Sequence, residues 1–333
     1  MQSDPSFHYV DGRWLLALYA VIPLSFAVIA FDALVLQRAL LHNLLPDDPN
    51  DWALWALLFG LPHIIASALT LSDRAYLRHY RRQLLPALLA FLLICLVGWY
   101  GPQPLSYQLL FVFFAGFTVL HVLSQQLGIA LVLSGRRPGR LFRFWKWVAV
   151  AAGLAIYLNV YVGQYLGHFR VAGTDVYALL AGLAGALCVI LLLLTWRLAG
   201  ACEGRLGCWF IWANGALLVS ALMINQLGYT LLVILMPRLI HDLTAFSVYI
   251  THDRNRQART ATGWLYRWLP AAGVTPFVVL PAASILIAWL LNTHQQHAVI
   301  GIAILLISFM HYYWEGFVWR GESPLRQHVR FRR

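Results

Sequence analysis

The chain has 333 residues, of which 61% are hydrophobic and 11% charged, whereas a soluble domain carries about a quarter charged residues. One core cannot hide so much apolar surface, which excludes a soluble globular protein and makes lipid the solvent. The formal net charge of +11 does not point to nucleic acid: the basic residues fall in loops beside apolar runs, where they set topology and meet anionic headgroups.

Taken in chain order, the apolar runs predict an all-α, polytopic transmembrane bundle of about ten spans. After a polar segment over 1–13, the first five run Trp14–Leu36, Trp52–Ser72, Leu84–Tyr100, Leu105–Ser134 and Phe142–Leu166. The next five run Asp175–Ala199, Cys208–Ile224, Tyr229–Thr251, Pro270–Asn292 and Ala298–Trp319, followed by an Arg-rich tail over 320–333. No repeat or linker interrupts them, so 1–333 reads as a single integral membrane domain.

The loops alternate in charge. One set carries Arg74, Arg78, Arg81 and Arg82, then Arg136, Arg137, Arg140, Arg143 and Lys146, then Arg197 and Arg205, then Arg254, Arg256, Arg259 and Arg267. The intervening loops are poor in Lys and Arg. The positive-inside rule then puts both termini in the cytoplasm, in what reads as a bacterial inner membrane. Cys95, Cys188, Cys202 and Cys208 show no CxxC spacing, and no disulfide is expected of them.

Twelve histidines are present. His42, His168, His294 and His297 fall in or beside the non-cytoplasmic loops, and His8, His79 and His328 in cytoplasmic segments; these read as solvated, although His294 and His297 share a metal-capable spacing. His63, His121, His241 and His311 instead lie inside spans 2, 4, 8 and 10. At ~1.5 Å per residue from the outer boundary, His63, His241 and His311 come out at about 16–21 Å depth and His121 near 24 Å. Ionisable groups at that depth are costly and point to function, and neutral imidazole is a common ligand for Zn, Fe and Cu. The four are therefore candidate metal ligands.

Glu315 shares a helix face with His311, as Gln125 does with His121; both are candidates to orient a ligand or take part in chemistry, and so is Asp242 beside His241. Arg238 and Asp242 are spaced to pair. His252, eleven residues after His241, lies about 16 Å further along the axis. It cannot share an ion with His241 on a straight helix and reads, with Asp253, as an interfacial or entrance residue, or as an alternative ligand from span 8. Pro62 and Pro237 adjoin two of the histidines, where a kink can aim a ligand inward. Asp32, near the outer end of span 1, reads as interfacial.

The segment FGLPHIIAS around His63, followed 58 residues later by His121, resembles the Brp/Blh-like membrane β-carotene 15,15′-dioxygenases. That resemblance implies a non-haem iron site with His63 and His121 as ligands, and His241 standing in the later histidine helix. The chain departs from the family pattern at Ala66 and Ser67, where an acidic residue is expected, and in the wide spacing of His241 and His252.

These observations predict a membrane-embedded, His-ligated metalloenzyme, foremost a non-haem iron oxygenase acting on a lipid-soluble substrate such as a carotenoid or lipid, with an electron donor as a further partner. A haem- or copper-binding electron-transfer protein, a zinc site, and a proton-coupled transporter with a His/Glu relay stay open beside it.

Overall fold

The computed structural model describes residues 7–46, 52, 59–135, 137–161, 170–257, 264–267, 276–321 and 323–332. His168, Arg136, Arg259 and the start of the expected second span lie outside the described residues. Nine helices among those described are long and apolar enough to cross a membrane. They are α1 (Gly12–Leu34), α3 (Arg74–Tyr100), α4 (Leu105–Ser134), α5 (Arg140–Val160), α6 (Val176–Ala199), α7 (Arg205–Gln226), α8 (Thr230–Gln257), α9 (Pro276–Thr293) and α10 (Ala298–Val318). A shorter apolar helix, α2 (Leu61–Leu71), lies within the expected second span. The chain is thus an all-α protein built for lipid contact.

Two helices outrun their apolar runs, both at basic ends. Asp73 caps α3 by accepting the Ala75 amide at 2.8 Å, so the turns carrying Arg74, Arg78, Arg81 and Arg82 are helical instead of loop. At the other end, α8 continues to Gln257, which puts Arg254 and Arg256 in its last turn, where the helix dipole favours cations. Gly60, at φ 82°, turns the chain into α2 in a conformation that glycine adopts without strain, and Pro62 sits in the first turn, where its missing N–H costs nothing.

The described chain forms two compact units. The first contains α2, α3, α9, α10, the start of α4 and α8 from Asp242 onward. In it α9 and α10 pack on α2, and α10 also on α3. Val10–Asp11 pairs in parallel with Phe331–Arg332. Asn255 ties those two ends to α8: it accepts the His8 amide and donates to the carbonyls of His8 and His328, all at 2.8–2.9 Å.

The second unit contains α1, α4 from Phe111, α5, α6, α7 and α8 up to His241. Its helices come close where side chains are small: a Cβ on Gly207 would lie 2.4 Å from the Ser134 Cα. Several buried polar groups are paired within it, as hydrocarbon surroundings favour. Trp145 donates to Thr195 at 2.8 Å, Asn225 to Asn159 at 2.5 Å, and Tyr229 to Asp32 at 2.8 Å. Asp32 is buried in the protein and also accepts the amides of Leu40 and Leu41.

Candidate metal centre

In the first unit, α2 supplies His63 and α10 supplies His311, both fully buried. Their Nε2 atoms face each other at 3.2 Å. His63 Nδ1 lies 2.9 Å from Asp242 Oδ1 in an ion-pair contact, at the distance but without the alignment of a hydrogen bond. Asp242 is held in turn by the Gly60 amide, which donates to Oδ2 at 2.6 Å. The tight turn before α2 therefore also positions the group that orients His63.

His311 Nδ1 lies 2.6 Å from Ser67 Oγ. With that hydroxyl's proton on the Ile64 carbonyl at 2.9 Å, Ser67 accepts from His311 Nδ1. With a proton on each Nδ1, both Nε2 atoms would present lone pairs to one another at 3.2 Å. Such an arrangement repels unless a cation sits between them. Two nitrogens bound to one ion at about 2.1 Å lie roughly 3.0–3.4 Å apart across tetrahedral or octahedral angles, and 3.2 Å falls in that interval.

In the second unit, α4 brings His121 and α8 brings His241 together, edge to face with ring centroids 4.9 Å apart. His241 is fully buried and His121 nearly so. His241 directly precedes Asp242 on one helix, so chain continuity alone keeps it near the carboxylate that contacts His63. His63, His121, His241 and His311 each offer one nitrogen, and these atoms lie within 4.8 Å of one another. A shared proton would need two of them; four imidazole donors suit a metal ion.

The flanking candidates fall differently. Glu315 is buried and accepts the Tyr249 hydroxyl, while Ser67 is the hydroxyl on His311. Asp242, expected to pair with Arg238 or to act in chemistry, holds His63. Gln125 lies one turn after His121 and is half-buried; its neighbour Gln126 accepts from Tyr19 at 3.2 Å.

His252 is not part of the group of four. It is fully buried in the protein, and both its nitrogens are occupied, by Asp253 and by the Tyr76 hydroxyl, each at 2.8 Å. Tyr266 donates to the same Asp253 at 2.5 Å; burial first, and then the Asp253 carboxylate, hold its phenol well above the usual range. Arg256 pairs with Asp73 at 2.9 Å and lies over the Tyr76 ring. This network fastens the end of α8 to α3.

Sequence reasoning missed Ser67 and the role of Asp242. The signal for Ser67 was its place one turn after His63; nothing in the sequence says that it faces another helix. No protein-family model, curated protein or solved structure matches this chain.

Proposed function

We propose that this protein is a membrane-embedded metalloenzyme in which His63, His121, His241 and His311 hold a metal ion, foremost non-haem iron, and which oxygenates a lipid-soluble substrate. The observation that carries the metal reading is the group of four buried imidazoles whose nitrogens lie within 4.8 Å of one another, two of them with Nε2 atoms facing at 3.2 Å. Asp242 and Glu315, both buried, add weight: ionised, they carry the charge that balances a divalent ion in a low-dielectric setting.

Several features favour iron and oxygen chemistry. All four donors are neutral nitrogens, which suit iron, copper and zinc alike, and the resemblance around His63 adds iron in particular. A compact ion fits better than haem, because donors this close leave no room for a porphyrin disc among them. An iron centre held this way supplies oxygen activation when loaded. The chain's own part is to orient the rings through Asp242 and Ser67, to bury all four of them, and to hold the site where lipid-soluble molecules dissolve. By the positive-inside rule, the basic loops and tail support cytoplasmic termini in a bacterial inner membrane.

The test is metal content and absorption of detergent-purified protein, wild type beside His121→Ala. Near-stoichiometric iron without a Soret band, lost in the variant, together with oxygen-dependent conversion of a carotenoid or lipid, is the expected result. A Soret band would replace this reading with the haem one. Protein purified without chelator and free of metal and colour would remove both.

A further inference from the structure

The second unit contains a partly open cavity of about 60 Å³. Its walls come from four helices: Val119 and Val122 on α4, Ile156 on α5, Leu218 and Ala221 on α7, and Pro237 on α8 are among the residues lining it. Nearly all the lining is hydrocarbon. At about 10–15 Å³ for each water-sized position, the space holds roughly four to six carbon-sized groups, enough for a short stretch of hydrocarbon chain.

The cavity's direction follows from helix periodicity. Its wall on α8 is formed by Val233, Ile234, Pro237 and Arg238, spaced to lie on one stripe. The next residue on that stripe is His241, one turn past Pro237 and about 6 Å along the axis. On α4, the lining residues Thr118, Val119, Val122 and Leu123 bracket His121 in sequence. His241 thus continues the cavity's wall on α8, with the His121 ring packed against it.

We infer that this apolar slot is the substrate's chain-binding subsite: it takes a segment of an acyl or prenyl chain and delivers it lengthwise toward His241 and His121. The inference rests on the metalloenzyme reading for its purpose, but not for the binding itself. Ala221 stands on the wall, and a larger side chain there fills the slot without touching a histidine. Leu218→Ala does the reverse.

The experiment uses the full chain in phosphatidylcholine nanodiscs and a long-chain fatty alcohol bearing a diazirine as probe, with cross-links mapped by mass spectrometry. Labelling is expected on α4, α5, α7 and α8. In Ala221→Phe it should fall about tenfold, the ratio for roughly two methylenes losing their burial, with metal content unchanged. Leu218→Ala should label severalfold more with a branched prenyl probe. Cross-links mapping elsewhere, or labelling indifferent to both substitutions, overturn the proposal. Wild-type protein that labels here but binds no metal keeps the chain site and removes the metal reading instead.

Discussion

Ser67 and Asp242 bear on what His311 and His63 can bind, because each lies against the Nδ1 of one ring and favours Nε2 as the donor. Residues in this position typically contribute about 10–100-fold to metal affinity. Asp242→Asn should therefore weaken binding by about that factor in a chelator-competition titration, and Ser67→Ala should weaken it in the same direction. His252→Gln, in the same titration, should leave affinity unchanged, since both its nitrogens serve the tie between α8 and α3. Unchanged affinity in Asp242→Asn would show that the carboxylate does not set the tautomer. The four histidines were legible in the sequence because a polar residue inside an apolar run stands out, and counting residues gives its depth. Ser67 was not, because a serine mid-helix is ordinary until the rotation of α2 against α10 is known.

The helices were legible to within a turn or so wherever an apolar run alone set the length. They were misjudged at α3 and α8, where charged residues continue the helix beyond the hydrocarbon and a cap or a dipole decides the boundary. Packing between elements was not legible at all. The contact of α7 with the end of α4 depends on Gly207, whose position admits no side chain against the Ser134 backbone. Gly207→Ala forces those backbones apart and should cost about 1–3 kcal/mol, read as a lower thermal midpoint of the detergent-purified protein. A midpoint equal to wild type would show that the helices can separate there at no cost. The pairing of Val10–Asp11 with Phe331–Arg332 was equally hidden, since two-residue strands carry no alternation to read.

At the scale of the molecule, that pairing bears on topology. Val10 and Phe331 are neighbours in one ladder, so both ends of the described chain belong to the same side. Nine single crossings would separate them. An even number requires the stretch that ends in α2 to cross as well, although α2 by itself has 11 residues, about 16 Å of helix against a hydrocarbon thickness of about 30 Å. Compartment reporters fused at the N-terminus and after the Arg-rich tail should report the same side, the cytoplasm. Opposite sides would contradict the ten-span count.

The ladder between the two ends also constrains biosynthesis. Its strands leave the ribosome at the beginning and at the close of translation, and His63 and His311 are likewise made early and late. At about 5–20 residues per second, the early strand and the early histidine wait for tens of seconds before their partners exist. The first unit cannot finish assembling until α10 has entered the membrane, so a nascent chain stalled before that helix has no complete place for the ion. On the metal reading proposed above, uptake is therefore a step that follows translation, with the ion supplied to a finished protein.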